Sequence, residues 1–154
     1  MDVQLPLRSQ DRRGDRRDHG WLPAILLGRR TFEMFAPAWS VRTADDDRGA
    51  PFMNDSPKYV VAATRPAVEW SNSTVLGPYD AAAIRRLKQE IDGGIYVSGK
   101  ATLVRAMLAD GLIHGLHLFM YPIAIGSGPR LFADVTSPYK LELGAAYARS
   151  LPSK

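Results

Sequence analysis

The sequence predicts an α/β fold, a central and mostly parallel sheet flanked by helices, and three observations carry that expectation. Short apolar runs rich in β-branched residues alternate with stretches whose apolar residues recur every three or four positions. Glycine, or a residue able to cap a helix, stands at most of the junctions. Strands joined through helices imply right-handed crossovers, and such crossovers lay their strands in parallel.

The elements follow in chain order. "AILLG", residues 24–28, is an apolar run ending at glycine and reads as a buried strand. In "RRTFEMFAPAW", Thr31, Phe32 and Phe35 suit a short helix stopped near Pro37. Residues 40–57 are polar, hold Asp45, Asp46 and Asp47 and two prolines, and read as a loop. "KYVVAAT", residues 58–64, is a second strand, and "STVLGP" a short third one ending at Gly77 and Pro78. Asp80 can cap the next helix, because its carboxylate accepts from free backbone N–H groups. Ile84, Leu87 and Ile91 then form one apolar face, and Gly93 and Gly94 end the helix. In "IYVSGKATLVRAML" a strand over 95–98 turns into a helix that reaches about residue 110, with Leu103, Ala106 and Met107 on its buried side. "IHGLHLFMYPIAI" alternates like another strand, "GSGPRLF" reads as a tight turn, and "YKLEL" as a last strand.

Composition narrows the function. At 154 residues one domain is expected, and the absence of cysteine excludes disulfides, thiolate catalysis and cysteine-bound zinc. No run reaches the ~18 apolar residues that cross a bilayer, and the N-terminus has no apolar signal core. A cytoplasmic protein without a membrane partner is therefore expected. The net charge is +4, with five arginines and three aspartates in residues 8–19. With aspartates interspersed and no aromatic residue among them, residues 1–20 read as a solvated, arginine-rich flexible arm, not a nucleic-acid site, and the folded domain as 21–154. His114 and His117 fall on opposite faces of a predicted strand, which argues against a metal site. Trp21, Trp39 and Trp70 read as core or rim, and Glu33 as a surface carboxylate. No side chain stands out as a proton donor.

Two strand-to-helix turns are chemically distinctive: Gly28-Arg29-Arg30-Thr31 and Ser98-Gly99-Lys100-Ala101-Thr102. Free N–H groups and the positive end of the helix dipole favour anions at such turns, and glycine lets the backbone approach closely. The pair suits a phosphate-bearing ligand.

"LLGRRTFEMFAPAW", "PKYVVAAT", "WSNSTVL", "IYVSGKATLVRAML", "ADGLIHGLHLFMYPIAIGSGPRLF" and "LEL" occur in this order. Over roughly residues 21–143 the chain resembles the dihydrofolate-reductase-like family that includes the reductase domain of bacterial riboflavin biosynthesis. The resemblance implies a three-layer fold with an antiparallel edge near the C-terminus and an NADPH site across the sheet, NADH being possible. It also implies reduction of a small heterocyclic or carbonyl substrate, pterin-like or pyrimidine-like, by a homodimer. It implies that Gly28, Arg29 and Thr31 hold cofactor phosphates. Ser98, Gly99, Ala101 and Thr102 would lie against the pyrophosphate, and Leu103 would line the groove. Relatives often carry Ser-Arg-Thr after the second strand. Here Ala62 and Ala63 precede Thr64, which leaves Thr64 and Arg65 to meet a 2′-phosphate. The family's Ser-Leu-Asp-Gly strand has no counterpart in residues 1–20, and "GAAYARSLPSK" is a poor last strand. These departures imply an altered sheet edge or one completed by a partner chain. They also keep a non-catalytic cofactor-binding or interaction protein of the same fold as the alternative.

Overall fold

Ala24, Ile25, Leu26 and Leu27 are all buried, so this run has no polar face and belongs in the middle of a sheet. In the computed structural model, which describes residues 22–121, 123–132 and 138–146, that is where it lies. The expected arm at residues 1–20, and Trp21, fall outside the described residues. Strand β1 (Ala24–Gly28) pairs in parallel with β2 (Lys58–Val61) on one side and β4 (Ile95–Ser98) on the other, and β3 (Ser73–Gly77) adds beside β2. The order is β3-β2-β1-β4. Leu27 stands opposite Val60 and Ser98, and Gly28 opposite Val61.

Because side chains alternate across a strand, β1 feeds two cores. Ile25 and Leu27 pack with Phe32, Ala36, Trp39, Met53, Val60 and Trp70 beneath α1 (Arg29–Trp39) and α2 (Ala50–Asp55). Leu26 packs with Ile84, Leu87, Leu103, Met107 and Leu112 beneath α3 (Ala81–Glu90) and α4 (Ala101–Ala109). The result is three layers, helix on sheet on helix. Asp80 caps α3 as its sequence position predicts, accepting from the Ala82 N–H. Among the described residues no helix is long and apolar enough to cross a membrane.

The structure departs from the sequence reading in three places. First, α1 continues through Pro37 to Trp39, because burying Ala36 and Trp39 carries the helix past its proline. Second, the expected loop over 40–57 contains α2. Pro51 sits in its first turn, where a missing N–H costs nothing, and Ala50 and Met53 are fully buried anchors. Lys58, which opens β2, is buried against the end of this helix. Its Nζ donates to the carbonyls of Asn54 at 3.0 Å and Ser56 at 2.8 Å. It also lies 4.7 Å from the centre of the Trp70 ring. Burial pushes its ammonium down to about 8, with Asp55 opposing.

Third, the antiparallel edge expected near the C-terminus is absent: the described residues beyond α4 form no strand, at 113–125 or at 139–143. Leu118, Phe119, Met120, Tyr121, Ile123 and Ile125 are exposed instead. Alternation and β-branching mark a segment that fits a strand, but the strand exists only where a neighbour supplies the ladder. Among the described residues the sheet ends at β4, and no strand pairs with its outer edge.

Candidate functional site

Parallel pairing of β1 with β4 places Leu27 beside Ser98, so the chain leaves both strands at neighbouring points of the carboxyl edge. Gly28 leads into α1 and Gly99 into α4. The two corners therefore adjoin, although 70 residues separate them in the chain. Neither helix has a side-chain cap, and neither carries an acidic residue in its first turn. Their leading N–H groups lack the side-chain acceptor that Asp80 gives α3.

Thr31 marks the space between the corners. It is 3% exposed, and its Oγ1 is buried with no hydrogen-bond partner. A Cβ built on Gly99 would stand 3.5 Å from that oxygen, so the hydroxyl faces the second corner. A buried hydroxyl without a partner costs about 1–3 kcal/mol. This one lies beside two helix ends that carry no side-chain cap. On the other flank, a Cβ on Gly28 would lie 3.8 Å from Leu103 Cδ2, so Leu103 packs beside the first corner. Ala101 and Thr102 occupy the first turn of α4, and Ser98 is buried beneath it.

The remaining residues expected at the site divide. Arg29 bends toward β2: its Nη1 donates to Thr64 Oγ1 at 2.8 Å and its Nε to Glu33 Oε1 at 2.9 Å. Arg65 is exposed and pairs with Glu69 at 3.2 Å. Glu33, read from the sequence as a plain surface carboxylate, is instead a junction. The same oxygen accepts from Arg29 and, at 3.1 Å, from the Ala67 N–H. The Arg29 guanidinium and that N–H hold its carboxyl below the usual carboxylate range. The four-residue spacing of Arg29 and Glu33 was a visible sign of their pairing, whereas the contact with Ala67 crosses 34 positions and has no local signal.

A cavity of about 460 Å³ lined by Ser40, Asn54, Glu69, Trp70 and Ser71 lies toward the opposite, amino edge of the sheet. Its polar centre, Asn54, is already engaged, with Oδ1 accepting from Trp70 Nε1 and Nδ2 donating to the carbonyls of Trp39 and Arg42. Trp39 and Trp70 belong to the core. The helix starts without side-chain caps sit at the glycine corners, away from this cavity.

Comparison with known proteins agrees with this architecture. Residues 15–150 match the family model described as the RibD C-terminal domain. Two proteins of Bacillus subtilis (strain 168) are similar to the chain. The uncharacterized protein YwjB is 27% identical over 122 residues, covering 77% of this chain and 63% of that protein. The uncharacterized protein YyaP is 22% identical over 125 residues, covering 79% and 65%. The chain thus spans less than two thirds of the length of either relative.

Proposed function

The chain belongs to the RibD C-terminal domain family, a reductase-type family, and on that premise we propose that it is a nicotinamide-dependent reductase acting on a small heterocyclic or carbonyl compound, pterin-like or pyrimidine-like. The observation that carries this reading is the adjacency of the Gly28 and Gly99 corners. Two helix N-termini without side-chain caps lie there beside the unpaired Thr31 hydroxyl, an arrangement that favours an anionic group such as a diphosphate.

The cofactor, NADPH with NADH also possible, supplies the hydride when bound, and the protein supplies position and electrostatics. The N–H groups that open α1 and α4 bind the diphosphate oxygens. Thr31, whose buried hydroxyl faces the Gly99 corner, would support the turn that holds them. Leu103 packs against the bound chain and keeps water from that flank. Thr64, just past β2, and Arg29, which reaches it from the start of α1, would face the adenosine ribose. The exposed apolar residues Leu118, Phe119, Met120, Tyr121, Ile123 and Ile125 support a homodimer in which a second copy covers them.

Among the described residues no strand pairs with the outer edge of β4, which favours one alternative, a protein of this fold that binds the cofactor without turning it over. Two measurements separate the readings. Saturating NADPH should raise the melting temperature by about 5 °C or more, since ligand at ~100 times its Kd adds about 2.7 kcal/mol to stability. Oxidation of NADPH in the presence of pterin, pyrimidinone or quinone acceptors is expected of the reductase alone. No shift at millimolar NADPH or NADH would sink both readings.

A further inference from the structure

Two arginines stand near the carboxyl end of β2, and each is tied to a glutamate. Arg29 pairs with Glu33 at 2.9 Å and Arg65 with Glu69 at 3.2 Å. The second pair is almost fully exposed, with side chains 82% and 89% accessible. The first is built into the fold. Through one oxygen, Glu33 joins α1 to Ala67 in the segment after β2, while Arg29 reaches across to Thr64. The arginine and the backbone N–H together keep the Glu33 carboxyl ionised.

In dinucleotide sites of α/β proteins the adenosine ribose lies at the strand next to the phosphate turn. There an acidic residue accepts from the 2′-hydroxyl, or an arginine receives a 2′-phosphate. In this chain that neighbour is β2, one strand spacing of about 4.8 Å from β1. Both kinds of group are present at its end, and they are bonded to each other.

We propose that Glu33 sets the balance between the phosphorylated and unphosphorylated nicotinamide dinucleotides: by cancelling the charge of Arg29 at the end of β2, it lets the site take NADH about as readily as NADPH. The proposal rests on the Gly28–Gly99 crevice being the diphosphate seat. Arg30, on the same turn, acts on Glu33 through space and is a constant background in wild type and variants alike.

The test is calorimetric titration of the full chain with NADP⁺ and NAD⁺, comparing wild type, Glu33→Gln and Glu69→Gln. Glutamine retains an acceptor for Ala67 and removes only the charge. The wild-type dissociation constants should lie within roughly fivefold of each other, since a neutralised arginine leaves little net field for the 2′-phosphate. Glu33→Gln should tighten NADP⁺ relative to NAD⁺ by about tenfold, the order expected for removing one negative charge ~6 Å from a phosphate. Glu69→Gln should change the ratio by less than about twofold, because its pair is solvated. A ratio unchanged or reversed in Glu33→Gln, or a wild-type preference for NADP⁺ of about a hundredfold or more, overturns the proposal and leaves the diphosphate seat standing. Failure of both nucleotides to bind wild type overturns the seat and the proposal together.

Discussion

Gly28→Asp is expected to leave the chain as stable as before, or slightly more so, and to abolish dinucleotide binding. Gly28 has φ −77° and ψ 154°, extended backbone that any residue adopts and that a capping residue normally has. An added Cβ meets Leu103 Cδ2 at 3.8 Å and Cβ at 3.9 Å, ordinary contact distances. The new carboxylate would cap α1, which now has no side-chain cap, and should contribute a few tenths of a kcal/mol. The same carboxylate fills the diphosphate seat and opposes its charge. Losing two charge-assisted hydrogen bonds and adding the repulsion should weaken NADPH by at least about a hundredfold. A substitution confined to structure would not move stability and binding in opposite directions. Gly99 is a poorer place for the test, because at φ +34° any side chain is strained and the protein would lose stability as well. Calorimetry and thermal melts of one sample decide the matter, and an unchanged NADPH affinity in Gly28→Asp would place the seat elsewhere.

Asn54→Ala should be the opposite case, costly to the fold and silent at the crevice. Asn54 Nδ2 donates to the carbonyls of Trp39 at 3.0 Å and Arg42 at 3.1 Å, which finish α1 and the turn after it. Its Oδ1 accepts from Trp70 Nε1 at 2.9 Å. Trp70 is largely buried, and its indole N–H would lose this acceptor. The bonds to Trp39 and Trp70 are partly buried and the one to Arg42 is exposed. At about 1–3 kcal/mol for a buried group left unpaired, the substitution should destabilise the protein by roughly 2–4 kcal/mol, nearly all of it from Trp39 and Trp70. That corresponds to a fall in melting temperature on the order of 6–12 °C for a chain of this size. Below the transition the NADPH affinity should match wild type, because Asn54 sits at the amino edge of the sheet and the corners at the carboxyl edge. A melt within about 2 °C of wild type would show that solvent replaces these bonds at little cost.

These two residues also show what the sequence could disclose. Gly28 and Gly99 were legible as corners because turn chemistry is local: an apolar run, a glycine, then helical periodicity. Their adjacency had no local signal and followed only from the family resemblance, since it depends on β1 pairing with β4 across 71 positions. The faces of α3 and α4 were legible from the spacing of Ile84 and Leu87, and of Leu103 and Met107, all of which are buried. Asn54 was hidden in a stretch that reads as polar loop, because its partners come from α1, the turn after it and Trp70. Glu33 was likewise hidden by its distant contact with Ala67. The segment over 113–125 failed for the complementary reason. Its pattern is local and its strand partner would have to come from elsewhere, so alternation could suggest the strand and could not supply the neighbour.

The crevice itself is tested most directly by following backbone amides of the ¹⁵N-labelled chain during titration with NADP⁺. The largest shifts should fall on Arg29, Arg30 and Thr31 and on Ala101, Thr102 and Leu103, the opening turns of the two uncapped helices, with the capped start of α3 at Ala81 and Ala82 little changed. Shifts centred instead on Asn54, Trp70 and Ser71, or none at saturating nucleotide, would contradict a diphosphate held between Gly28 and Gly99.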